Sequence, residues 1–228
     1  MGKPELASSF VKEKLDQIVL DIEFLLISVV QGVAVVTLAE TGVEPISNLD
    51  FRFILYTVSA FFLIIGFWSQ AIIHALSFID WPMDLKHSFL YFLVGLIEVM
   101  TFHQMNDPLK WFGFMTVLFS VATLLYIGDL KMIKQHEDEF RKSKIKFDIF
   151  KHILEQQTFE LKLFVPIGLI FNLAAFLLIL SFRDLFINQN YHVLLIGIQV
   201  IFGILFLVNS LKSFKKRSKL ITDNISNY

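Results

Sequence analysis

With 228 residues, 55% of them hydrophobic, 26 Phe and a mean hydropathy of +0.64, this chain is too apolar for an ordinary soluble domain, where about 45–50% is usual. The formal net charge of −1 points to neither nucleic acid nor an acidic substrate as partner. The chain has no cysteine, which excludes disulfides, thiolate nucleophiles and Cys-ligated metals.

The apolar residues come in blocks separated by short polar breaks. Six helical spans are expected at about 17–39, 52–78, 87–104, 110–128, 163–182 and 192–211, each near the roughly 20 residues that cross about 30 Å of hydrocarbon. The expected fold is all-α: one transmembrane domain over residues 1–228, with a cytoplasmic helical extension at 129–162 between helices four and five.

Met1 to Asp16 is charged and mixed, lacks an apolar core before a small-residue site, and does not read as a removable leader. Leu6 leaves the myristoylation pattern incomplete. On span one, Gln17, Asp21, Ser28, Gln31 and Gly32 fall within roughly 100° of one another, and Ser28/Gly32 has small-x-x-x-small spacing.

Asp50 is placed to cap span two, whose Tyr56, Ser59, Gly66, Gln70, His74 and Ser77 form one stripe roughly 80° wide. The turn Asp80-Trp81-Pro82-Met83-Asp84 leads into span three, where His87, Tyr91, Glu98 and Thr101 share a face. Pro108, after Asn106-Asp107, fits the start of span four, with Gly113, Thr116, Ser120 and Thr123 along one side. Trp81 and Trp111 are expected at the two membrane boundaries with Tyr56 and Tyr191 nearby, and Trp68 in ordinary helix packing.

The connection from Asp129 to Lys162 contains neither Gly nor Pro. Ile133, Phe140, Phe147, Leu154 and Leu161 recur every seventh residue, the period of a helical seam. Two arrangements fit: an antiparallel pair reversing near Lys142–Lys146, or one amphipathic helix on the inner leaflet. The seam, with Ile133, Phe140, Phe147 and Leu154 as its contact residues, either packs internally or binds a cytoplasmic protein partner. Pro166 opens span five, and His192, Gln199, Gly203 and Ser210 align on span six, before an anchoring tail with Lys215-Lys216-Arg217.

An even number of crossings puts both termini on one side. Of the 20 Lys and Arg residues, only Arg52, Lys110 and Arg183 fall on the other side. The positive-inside rule then makes the termini cytoplasmic, in an inner or plasma membrane.

Chemistry converges on the interior polar residues. Glu98 lies among apolar neighbours, where a bare charge is costly and a partner, a cavity or a proton is required. Gln31 and Gln70 are expected in one mid-membrane layer with Glu98, and His74 near the end of the same stripe. No metalloprotease, nucleophile-elbow, dinucleotide or P-loop motif is present, and the six histidines show no paired metal spacing, so no enzyme activity, cofactor or metal is expected.

Gln31-Gly32-Val33-Ala34 and Gly66-Phe67-Trp68 with His74 resemble the helix-one and helix-two signatures of a family of six-span potassium-permeable channels of bacteria and endolysosomes. That resemblance implies an oligomeric pore lined by helix one. The family's Phe-Ser-Asp is absent, and Gln31 stands where its Asp would be. The sequence thus points to a self-associating membrane channel or transporter for a small cation or proton. The alternative is a non-transporting subunit that recruits a partner through 129–162.

Overall fold

The computed structural model describes residues 3–77, 85–135, 137–140 and 144–225. Every element among them is helical: α1 (Lys3–Ser47), α2 (Phe51–Ser77), α3 (Leu85–Phe102), α4 (Pro108–Gln135), α5 (Glu137–Phe140), α6 (Lys144–Phe159), α7 (Val165–Ser181) and α8 (His192–Ile225). Wide π-turns follow α6 at Glu160–Phe164 and α7 at Asp184–Asn188.

Capping fixes several starts. The Asp50 carboxylate accepts from the Arg52 backbone N–H at 3.1 Å, and that of Asp107 from Lys110 N–H at 3.2 Å, satisfying donors that the first helical turn leaves open. Pro108, the first residue of α4, has no N–H to leave open.

Neighbouring contacts define an up-and-down bundle. α1 runs parallel to α3, with Gln31 beside Glu98 and Thr41 beside Met105. α2 runs against them, with Thr57 at Met105 and Phe67 edge-on to Tyr91. α8 follows α2 through Tyr56–His192 and Gln70–Ser210. α4 and the α6–α7 rod are antiparallel, joined by Phe112–Phe171 toward one end and Tyr126–Glu160 toward the other. α1 therefore begins, and α8 ends, at the same end of the bundle.

Its outward surface is apolar. Leu25, Leu124, Ile170, Leu194 and Ile201 are each more than half exposed, among many others spread over α1, α4, α7 and α8. A monomer in water does not sustain apolar surface on that scale. Five helical stretches are long and apolar enough to cross a membrane: Phe24–Ser47, Phe51–Gln70, Pro108–Gln135, Phe147–Ser181 and His192–Leu220. Among the described residues α3 contributes a shorter apolar helix, Phe89–Phe102.

Several boundaries differ from the sequence reading. The apolar part of α1 ends at Ser47 rather than near 39, and the helix carries Pro45 inside its last turn. α4 continues to Gln135 and α8 to Ile225, both beyond their apolar cores. Of the two arrangements expected for the connection between spans four and five, the helices take the antiparallel one: α6 runs through the π-turn into α7, and folds back on α4 where Ile133, Phe150 and Ile153 bury one another.

The aromatic assignments also change. Trp111, in the first turn of α4, is fully buried, its indole N–H having a partner inside the bundle, whereas Trp68 is 51% exposed on the outer face. The hydroxyls of Thr116, Ser120 and Thr123 donate back to carbonyls of their own helix, so that stripe of α4 builds no polar interior.

The π-turn has a mechanical consequence. Inward residues of α6 follow the helical rhythm Phe150, Ile153, Gln157, Glu160; those of α7 follow Val165, Gly168, Asn172, Ala175, Ile179. Between Glu160 and Val165 the step is five residues, matching the Val165 N–H that donates to the Glu160 carbonyl. Pro166, which lacks an N–H and crowds the carbonyl four residues earlier, favours such a widened turn. The extra residue resets the phase, so that both Glu160 and Asn172 face inward.

Candidate functional site

Five helices contribute polar side chains to one tier of the interior. Gln31 (α1) donates from Nε2 to Glu98 Oε2 (α3) at 3.1 Å. Gln199 (α8) accepts at Oε1 from the Trp111 indole (α4) at 3.1 Å. Asn172 (α7) donates from Nδ2 to the Gly168 carbonyl at 2.7 Å. Each bond fixes which way the amide points, and each leaves the other end open. Gln31 Oε1, Glu98 Oε1, Asn172 Oδ1 and Gln199 Nε2 have no hydrogen-bond partner among the described residues, although their residues are only 5%, 1%, 1% and 5% exposed. Buried polar atoms are normally satisfied, so four open ones together call for an occupant.

Of these, Glu98, Asn172 and Gln199 line one cavity of about 150 Å³ between α2, α3, α4, α7 and α8. Ser59 and Met115 complete its wall at this level. The remaining wall is largely aromatic, including Phe62, Phe67, Tyr91, Phe119, Phe202 and Phe206. Along α2 the cavity reaches from Ser59 to Gln70, about 16 Å at 1.5 Å per residue. Asp129 and Gln157 line it as well.

Toward the Gln70 end lies a second polar assembly, centred on Glu160. This carboxylate is fully buried, and both oxygens are occupied. Oε1 accepts from Gln156 Nε2 at 2.8 Å, Gln70 Nε2 at 3.4 Å and Asn209 Nδ2 at 3.4 Å, while Oε2 accepts from the Tyr126 hydroxyl at 3.1 Å. Arg217 Nη2 donates to Gln156 Oε1 at 3.2 Å, so the Gln156 amide bridges guanidinium and carboxylate. Nearby, Gln157 Nε2 donates to Asp129 Oδ2 at 3.1 Å, and His152 Nε2 meets the Ser213 hydroxyl at 3.3 Å. Here α2, α4, α6 and α8 are tied by hydrogen bonds that lack open ends at the carboxylate.

The residues anticipated as one mid-membrane layer are divided between these two assemblies. Gln31 and Glu98 meet; Gln70 does not join them. The Phe67–Tyr91 contact fixes the register of α2 against α3, and from it Gln70 and Glu98 lie about 15 Å apart along the bundle. The side chains of His74, His87 and Phe140 lie outside the described residues. Ile133 is buried, and Phe147 and Leu154 pack part-buried on its cluster with Phe150 and Ile153. Ser28 and Gly32 are exposed, with nothing near enough to Gly32 to meet a side chain there.

Sequence reasoning missed Glu160, Asn172 and the pairing of Trp111 with Gln199. A usable signal existed for Glu160: Gln156, four residues earlier, shares its helical face, and Pro166 follows closely. Among the described residues no three His, Asp or Glu side chains converge as a metal site. No family model, curated protein or solved structure matches this chain.

Proposed function

We propose that this chain is a six-span membrane protein that moves a small cation or a proton, with Glu98 as the binding carboxyl. The observation that carries the reading is one buried carboxylate oxygen, Glu98 Oε1, left open on a cavity inside an apolar bundle. An intramembrane carboxyl is expensive unless function retains it. Gln31 holds the group in one orientation and leaves its other oxygen for a passing cation or proton.

In this reading α3 is the sixth crossing, and the distribution of Lys and Arg sets the termini in the cytoplasm. In the channels that Gln31-Gly32-Val33-Ala34 resembles, helix one lines a pore between copies. Here Gln31 is bonded to Glu98 of its own chain, which favours a route within each protomer. The buried packing of Ile133 likewise favours transport over a recruiting arm. The test is flux of protons, of rubidium and of a small organic cation into proteoliposomes. Transport should be present in the wild type and lost in Glu98→Gln; equal flux in both, or none in either, overturns the reading.

A further inference from the structure

We infer that the cavity is a binding site for a small organic ammonium carrying one hydrogen-bond acceptor, rather than for a bare metal cation. The inference rests on the reading of Glu98 as the cation's partner. Three properties of the cavity select the ligand.

The first is the count of open atoms. A hard cation takes about six or more oxygen ligands, whereas the described residues of this cavity offer two open acceptors, Glu98 Oε1 and Asn172 Oδ1. The third open atom, Gln199 Nε2, is a donor, and it repels a bare cation. A ligand with an ammonium at one end and a hydroxyl, ether or carbonyl oxygen nearby meets both demands.

The second is the wall. Phe62, Phe67, Tyr91, Phe119, Phe202 and Phe206 line the cavity along its length. Aromatic faces attract alkylammonium groups through their quadrupoles and shed little water in doing so. Ring faces attract an inorganic ion as well, but supply none of the oxygen ligands that replace its tightly held hydration shell.

The third is size. A void of about 150 Å³ admits a guest of benzene-like bulk, which fits a compact ammonium with a short arm. Bringing its own positive charge, such a guest offsets the cost of an ionised Glu98 in a low-dielectric interior.

Choline is a suitable probe, with 3,3-dimethylbutan-1-ol as its neutral carbon isostere and tetramethylammonium as the analogue without a hydroxyl. Binding is measured by titration calorimetry on the full-length protein in nanodiscs. Choline should bind saturably, and the neutral isostere at least about tenfold more weakly. Glu98→Gln should weaken choline at least about tenfold, and Gln199→Leu should weaken choline but not tetramethylammonium. The isostere comparison uses the wild-type protein and so survives a variant that misfolds. Equal binding of choline and its isostere, absence of choline binding, or displacement of choline by excess potassium chloride each overturns the inference. If choline fails to bind while Glu98-dependent rubidium or proton flux persists, the ligand class falls and transport stands. If choline binds but neither it nor rubidium nor protons cross the bilayer, the site stands and transport falls.

Discussion

The Tyr126 hydroxyl donates to Glu160 Oε2 at 3.1 Å, tying α4 to the π-turn where α6 becomes α7. Because Gln70, Gln156 and Asn209 donate to the other oxygen, one carboxylate satisfies donors from α2, α4, α6 and α8. Glu160→Leu takes the acceptor away from the part-buried Tyr126, Gln156 and Asn209 donors, while Gln70 keeps Ser210, so a loss of about 2–4 kcal/mol is expected. Glu160→Gln keeps the shape and one oxygen, and should cost about 1–2 kcal/mol. Thermal unfolding in detergent, followed by loss of the monodisperse chromatographic peak, ranks the two. Equal melting of Glu160→Leu and wild type would remove this residue from the centre of the assembly.

How much of this was legible from the residues depends on the length scale. Blocks of apolar residues and the stripe Tyr56, Ser59, Gly66, Gln70 mark a helical membrane bundle, since the 3.6-residue period survives folding unchanged. Depth does not survive so well. Gln70 and Glu98 belong to adjacent helices, but their levels depend on the register set by Phe67 against Tyr91, which no single-helix pattern encodes. Glu160 reads as part of a charged connection until the π-turn rotates it inward. Likewise, Trp111 has the composition of an interfacial anchor, and only the proximity of Gln199 gives its indole N–H a partner on burial.

At the α1–α2 turn, Leu49 has φ 51°, a left-handed conformation that costs a side chain with Cβ about 1 kcal/mol or more. The residue is exposed, so little packing compensates. Leu49→Gly should raise the melting temperature by relieving this strain, an expected gain of about 1 kcal/mol. Leu49→Val, whose branched Cβ is still less tolerant of positive φ, should lower it. The opposite ranking in a detergent melt would contradict the strained backbone.

Asp50, next in the same turn, accepts side-chain hydrogen bonds from Arg52 Nε at 3.0 Å and Nη2 at 2.8 Å. The bond from the Arg52 side chain is the main reason its carboxyl is held below the usual aspartate range. A lowered carboxyl pKa stabilises the fold above the unfolded value of about 3.9 and loses that contribution as pH falls through the folded value. The pair is exposed, so the effect is small and salt-sensitive. Melting temperature should therefore fall less between pH 6 and about 3 in Asp50→Asn than in wild type. Identical pH profiles would show that the pair contributes nothing.

Sidedness is directly testable because the chain has no cysteine, so any labelled thiol is an introduced one. Asn48, Asn106 and Gln189 are exposed at the end of the bundle that carries Arg52 and Lys110, and Lys219 is exposed on the part of α8 approaching the opposite end. If α3 crosses, the single variants Asn48→Cys, Asn106→Cys and Gln189→Cys should react with an impermeant maleimide added outside intact cells. Lys219→Cys should react only after permeabilisation. Labelling of Asn106→Cys that follows Lys219→Cys instead of Asn48→Cys would show that α3 does not cross. Reversal of all four would invert the orientation taken from the basic residues.

The pairing of Gln31 with Glu98 depends on how closely α1 approaches α3, and Gly95 permits that approach. A Cβ built at Gly95 would lie 1.9 Å from Val30 Cγ1, a distance no pair of carbons tolerates. Valine has few rotamers within a helix, so it cannot simply swing aside. Gly95→Ala must therefore separate the helices, at an expected cost of about 1–3 kcal/mol, despite the higher helix propensity of alanine. Because Glu98 lies one turn along the same helix, the separation should also lengthen the Gln31–Glu98 contact and reduce Glu98-dependent flux. Val30→Ala removes the obstructing methyl groups. Combined with Gly95→Ala, it should restore both melting temperature and flux toward wild type, giving a favourable coupling energy of at least about 1 kcal/mol in a double-mutant cycle. Strictly additive effects of the two substitutions would mean that α1 and α3 do not meet at this point.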